Sequence, residues 1–327
     1  VILTAGAINT PRVLMASGIG DAADLAALRL PAWAHVPGVG KNLQDHPSLG
    51  LMFKLGPSLL EMFPSAYTIA QELEKYKLNV MVAHNISFPP GVTMAGVLSQ
   101  SADDLDGAAA AGADGGSSGK YGIFSSTGLT AGAFLRSSYA VADGGPPDIQ
   151  LTVFPRVTEP HIVLLNRTRQ ADAAATAALL VTVSLLAPEG RKGVWLNETA
   201  PTDGAPYIGP DNLLAPLTAG DVRRLEWGVK AVRNILRNPP LSEMTMGEVT
   251  PGASEALDGE PLRVWIADHV YANSHWCCTA RMGRNGADAA AVVDPTLRVR
   301  GVRNLRVADA SIMMDIPNGN VHSTVSL

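Results

Sequence analysis

Cysteine is scarce in this chain: only Cys277 and Cys278 occur, side by side. Neighbouring cysteines rarely meet the geometry of a mutual disulfide, so no disulfide framework is expected and the thiols say little about redox compartment. Positive charge is also in short supply. Lys and Arg number 25 against 30 Asp and Glu, a formal net charge of -5, which argues against the basic face a nucleic-acid partner needs. No Lys/Arg-rich patch or basic amphipathic helix favours a membrane surface. Nor does any hydrophobic run suit a bilayer. The most apolar stretch, residues 173–188, mixes alanine with β-branched residues and carries Thr and Ser; its second half, 179–186, reads as a buried strand. Neither nucleic acid nor membrane is expected as a partner.

Several chemical signatures are missing too. Neither GxGxxG nor GxxxxGK[ST] occurs, so spacing alone argues for no nucleotide cofactor. His269, His275, Cys277 and Cys278 lie close in sequence, but there is no CxxC pair and no HExxH helix, and adjacent thiols fit one tetrahedral ion poorly, so no metal is expected. His35, His84 and His161 have unremarkable neighbours. Sequons at Asn85, Asn166 and Asn197 give an extracellular location only a slight lean, because chance supplies such triplets in a chain of this length.

What is present is a globular composition. Apolar residues make up 46% and charged residues 17% of the 327 positions, and that length suits two cores, since single cores stop growing at about 250–300 residues. The opening Val1-Ile2-Leu3 reads as a strand entered midway, which suggests a chain cut from a longer protein. Thr10 before Pro11 reads as a helix start, with Ser17-Gly18 as its stop. A short helix over 22–28 precedes a Pro/Gly loop at 37–40. Strands are expected at 148–154, 179–186 and 193–196, and a solvated loop at 101–119. Asp221 to Arg237 has helical periodicity behind Thr218 as N-cap. Short strands are expected at 292–295 and 297–299, and another at 304–309 ending in an acid.

Two blocks carry more than composition. Residues 6–20 (GAINTPRVLMASGIG) and 37–47 (PGVGKNLQDHP) open the chain, and residues 275–283 (HWCCTARMG) are followed by Val293-Asp294-Pro295, Leu305-Arg306-Val307-Ala308-Asp309-Ala310-Ser311 and Ile316-Pro317-Asn318-Gly319-Asn320-Val321-His322. In this order they closely resemble the signatures of the glucose-methanol-choline (GMC) oxidoreductases. The middle matches weakly, chiefly at Gly132-Ala133-Phe134 and Pro147-Asp148-Ile149-Gln150.

That resemblance implies an α/β (α+β) fold: the remnant of a Rossmann-like FAD-binding domain, plus a substrate-binding domain with a mixed or antiparallel sheet flanked by helices. The expected division is residues 1–52 and 216–327 for the FAD-binding part and 53–215 for the substrate domain. It also implies FAD, whose pyrophosphate the family holds on an N-terminal GxGxxG segment that this stretch lacks, so the chain alone is expected to be inactive.

By motif, His275 would take the substrate hydroxyl proton while the carbon passes a hydride to flavin N5, and His322 would hydrogen-bond the same hydroxyl. Neutral imidazole suits both tasks. Asp309 and the Ala310 N–H would contact the ribityl-pyrophosphate region, with Ser274, Ser323 and Thr324 beside the isoalloxazine. The expected substrate is a primary or aryl alcohol or a sugar, with oxygen or a quinone as electron acceptor. A cyanohydrin-cleaving relative with redox-silent FAD, and an inactive fragment, are the alternatives.

Without the motif, His275 beside Trp276 reads as a packed core histidine and Asp309 as a strand-end cap, while Asn42, Asp45 and His46 read as residues that fix a loop. Two positions depart from the family pattern: Cys278 stands where the family has a small glycine, and Ala280 where it has cysteine.

Overall fold

The computed structural model describes residues 1–57, 131–154, 178–208, 217–252, 258–284 and 288–326. The expected loop at 101–119 and the sequons at Asn85 and Asn166 lie outside the described residues.

Two cores organise these residues. The first is built on an antiparallel sheet of β4 (Pro47–Leu55), β5 (Ala131–Leu135), β6 (Ile149–Phe154), β7 (Ala178–Leu185), β8 (Thr245–Thr250) and β9 (Tyr271–Ala272). The spatial order is β5-β6-β7-β4-β8, with β9 also pairing with β4. Side chains alternate across a pleated sheet, and here every second residue is apolar: Leu49, Leu51, Phe53 and Leu55 on β4, Ile149 and Leu151 on β6, and Leu179, Val181, Val183 and Leu185 on β7. The opposite face near the start of β4 is small and polar, where Ser48 Oγ donates to Ser184 Oγ at 2.7 Å.

Two helices cover the apolar face. Between α3 (Ser138–Ala142), which caps the β5–β6 turn, and the short α5 (Leu241–Met244) runs α4 (Ala219–Leu236); α6 is Gly259–His269. The Thr218 side chain accepts from Asp221 N, and the Asp221 carboxylate accepts from Thr218 N, a reciprocal cap that satisfies two orphan donors. Leu225, Val229, Val232 and Leu236 then face the sheet at helical spacing. At Gly228 a Cβ would lie 2.5 Å from Val183 Cγ1, so glycine sets how closely α4 approaches β7. This core therefore draws on residues either side of the expected boundary at 215/216, and β4 runs through the one at 52/53.

The second core joins the two ends of the chain. β1 (Ile2–Leu3) pairs in parallel with β10 (Arg306–Val307), and β2 (Ile19–Gly20) with β3 (Ala34–His35). Helices α1 (Gly6–Ala16) and α2 (Ala22–Ala27) pack there, with Leu14, Met15 and Leu25 against Val292, Val293, Val299 and Val307. Asp21 caps α2 through its carboxylate.

Three local expectations are corrected. α1 begins at Gly6 behind Ala5 and carries Pro11 inside it, so Thr10 is not its N-cap; its hydroxyl instead accepts from Ala5 N at 3.1 Å. Proline lacks the N–H that would bond Ala7 O, and the buried Thr279 hydroxyl takes that place, donating to Ala7 O at 2.6 Å. Residues 193–196 form no strand beside β7. Val194 N donates to Gly40 O, and Trp195 bridges Tyr207. Residues 292–299 likewise make isolated bridges, Val293 with Met282 and Val299, and Arg298 with Arg306.

Candidate active site

The 275–282 segment lies between two others. On one side Gln44 and Cys277 exchange backbone hydrogen bonds, and Gly40 N donates to Thr279 O. On the other, Cys278 N, Ala280 N and Met282 N donate to the carbonyls of Ala310, Ser311 and Ile312. Residues from the first and last parts of the chain thus frame His275.

Asp45 anchors this frame. Its Oδ1 accepts from His46 N at 2.8 Å and His275 N at 2.8 Å, and its Oδ2 from Ser274 N at 3.1 Å. Ser274 adopts φ 61°, a left-handed turn that aims two successive N–H groups at one anion. The carboxyl is buried, and desolvation pushes its pKa up to about 6 although the three N–H groups pull it down. The Trp276 indole approaches the same carboxylate but falls short of a hydrogen bond.

His46 is fully buried. Its Nδ1 lies 3.0 Å from His275 Nδ1 and its Nε2 lies 3.1 Å from Pro317 O. The two imidazoles meet edge to face, with ring planes 79° apart. Burial, followed by the charge His275 would carry, pushes the His46 pKa down to about 4. His275 is half-buried, and desolvation lowers its pKa as well, so both rings are neutral at pH 7.

Gln44 extends the same bracket: its Oε1 accepts from Ile316 N at 3.1 Å and its Nε2 donates to Asp315 at 3.3 Å. Farther along, Asn318 Nδ2 donates to Pro147 O and Gln150 Nε2 to Asn320. The loop leading to His322 is therefore stapled to residues 44–46 and to the start of β6.

Asp309 joins the start of α1 to the 3-10 turn that follows it. Its Oδ2 accepts from Gly6 N at 3.0 Å and Thr10 Oγ1 at 2.6 Å, placing a negative charge at the α1 N-terminus, and its Oδ1 caps the 3-10 turn Ala310–Ile312 through Ser311 N. Ala310 opens that turn. Ser274 is exposed, as are His322, Ser323 and Thr324 on the terminal helix α7 (His322–Ser326). Among the described residues, His275 contacts His46, Asp45 and Asn273, and no hydrogen bond or ring contact joins it to His322. Asp45 and His46 stand in the NLQDH segment, which reads as a loop. Their polarity gave no sign that they would be buried against His275.

Cys278, in the position of the family glycine, sits fully buried at φ 75°, a backbone state that costs a side chain roughly 1–2 kcal/mol. The buried Cys277 thiol is pushed up by its hydrogen bond with Cys278. No group of metal-ligating side chains occurs among the described residues, and no described helix is long and apolar enough to cross a membrane. A cleft of about 880 Å³ between α2 and residues 195–207 contains none of the site residues.

Two family models, both described as GMC oxidoreductase, match residues 188–327 and residues 1–48. An oxygen-dependent choline dehydrogenase of Staphylococcus xylosus is 28% identical over 326 residues, covering 99% of this chain and 48% of that protein. The mitochondrial choline dehydrogenase of Homo sapiens is 30% identical over 324 residues, covering 99% and 45%. The chain spans about half the length of these curated relatives. The crystal structure of a pyridoxine 4-oxidase from Mesorbium loti shares the fold at a TM-score of 0.65 and 24% identity, over 99% of this chain and 48% of the other.

Proposed function

Because the chain belongs to the GMC oxidoreductase family, we propose that it forms the flavin-ring side of an FAD-dependent site that oxidises an alcohol or sugar hydroxyl. The residues fit such a cofactor. Trp276 Nε1 and Ser311 Oγ are buried without a hydrogen-bond partner among the described residues, and Ser274, Ser323 and Thr324 offer exposed hydroxyls. Asp309, Ala310, Ser274, Ser323 and Thr324 would hold FAD. When bound, it supplies the acceptor for the substrate hydride, and oxygen or a quinone then takes the electrons.

The observation that carries this reading is a neutral imidazole fixed at both ends, the backbone of His275 by Asp45 and its ring by His46. A base held this way meets the hydroxyl in one orientation. His275 takes the hydroxyl proton, and His322 donates a hydrogen bond to the same oxygen or accepts one from it.

The test uses the full-length protein loaded with FAD and mixed anaerobically with primary alcohols, aryl alcohols and sugars. Loss of the oxidised flavin absorbance with one of these supports the reading. A flavin that stays yellow with all of them while a cyanohydrin is cleaved would replace oxidation with lyase chemistry.

A further inference from the structure

We propose that His46 is the positioning residue that sets the tautomer of His275, keeping the proton on Nδ1 and the lone pair on Nε2, the nitrogen left to receive the substrate proton. The inference rests on the reading of His275 as the base.

It starts from a carbonyl. Pro317 O can only accept, so the buried His46 Nε2 at 3.1 Å must carry a hydrogen. A neutral imidazole has one N–H, which leaves a lone pair on His46 Nδ1. That lone pair points at His275 Nδ1, 3.0 Å away, and two lone pairs do not share a hydrogen bond. His275 Nδ1 is therefore the donor, and its single proton is accounted for. The opposite assignment would set an imidazole lone pair against the Pro317 carbonyl at 3.1 Å in a buried site; the Leu186 carbonyl also favours an N–H on this ring, but Pro317 O is the carbonyl that meets hydrogen-bond geometry with it. The Asn273 amide nitrogen lies 3.3 Å from the same His275 Nδ1. A half-turn of that amide places its oxygen there and agrees with the assignment.

The consequence is chemical. The Nδ1–H form of His275 presents a basic Nε2 at every encounter, and when that nitrogen accepts the hydroxyl proton, the hydrogen bond to His46 remains as a donor from the cation. His46 does this without a charge of its own. It also ties His275 to the loop five residues ahead of His322, so the ring orientation and the entry to α7 are fixed by one side chain.

The experiment labels the histidines of the full-length, FAD-loaded protein with nitrogen-15 and reads their tautomers by NMR at neutral pH. The expected pattern is Nδ1–H for His275 and Nε2–H for His46; Nε2–H for His275 in the unmodified protein overturns the proposal. Two variants separate position from bulk. H46Q can still reach Pro317 with its amide N–H but removes the acceptor facing His275, whereas H46N keeps an acceptor near the former Nδ1. H46Q should move His275 to Nε2–H and lower kcat by about 10²–10⁴ with little change in KM, the usual worth of a correctly protonated base. H46N should restore the Nδ1–H signal and most of the loss. An H46Q protein that keeps both the tautomer and kcat overturns the assignment. The tautomers are read without turnover, so they stand apart from the test of His275 itself: if H275A oxidises alcohol at the unmodified rate, the base reading fails whatever the NMR shows.

Discussion

Asp45 carries the backbone of His275 on a buried carboxylate, 230 residues away in the chain. The same side chain holds Ser274 N and His46 N, so one anion sets both the residue proposed as the base and the residue that orients it.

Removing that anion should be costly and graded. Asp45→Ala leaves these amide N–H groups without acceptors, and each buried one costs about 1–3 kcal/mol, so a loss of roughly 3 kcal/mol or more is expected in urea denaturation. Asp45→Asn keeps one acceptor oxygen and should lose about half as much. An Asn variant less stable than the Ala variant would contradict the account.

Stability should also show two opposed pH dependences from neighbouring residues. The Asp45 pKa is raised to about 6 in the fold, so its contribution is full below the ordinary aspartate value of 3.8 and is lost as pH rises through 6. The His46 pKa is depressed to about 4, so its contribution is full above 6.5 and is lost as pH falls through 4. At about 1.4 kcal/mol per pKa unit each amounts to roughly 3 kcal/mol, and in wild type they nearly cancel. The difference in unfolding free energy between wild type and His46→Asn should therefore grow with pH across this window, and that between wild type and Asp45→Asn should shrink. Slopes of the same sign for both variants would refute the assignment.

For the reaction, desolvation holds the His275 pKa below the usual histidine value. The rising limb of kcat/KM against pH in the full-length protein should have its midpoint below about 6.5. His275→Ala should slow oxidation by roughly 10²–10⁴ and abolish that limb. A limb that persists in the Ala variant belongs to another group.

On its buried face α1 is completed by a residue from the far end of the chain. Thr279 Oγ1 fills the place of the hydrogen bond Pro11 cannot make. Thr279→Val should cost about 1–3 kcal/mol, the range for orphaning a buried carbonyl. In a Pro11→Ala background the restored N–H reaches Ala7 O itself, and the same substitution should cost about 1 kcal/mol less. Additive effects in the double-mutant cycle would show the two are independent.

How far the sequence could be read depended on the range of each interaction. The cap of α4 was legible because Thr218 and Asp221 are three residues apart and bond each other. The strands at 149–154 and 178–185 were legible because the alternation in the first and the short, β-branched apolar run in the second are local signals. Pro11 misled, since a proline after threonine marks a helix start unless some distant group repairs the helix it interrupts, and Thr279 is 272 positions from the Ala7 carbonyl it reaches. Residues 193–196 misled in the same way. Their apolar character is satisfied against Gly40 and Tyr207 instead of β7.

By itself the sequence determined the α/β class, the order of the motif blocks and the presence of His275 within one of them, because propensity, periodicity and signature spacing act over a few residues. Only the tertiary structure decided what surrounds His275. Desolvation and hydrogen bonding depend on which groups meet in space, and it took the antiparallel β4–β9 pairing to bring residues 45 and 46 against 274 and 275. A histidine that looked like a loop residue is thereby buried, neutral and aimed at another.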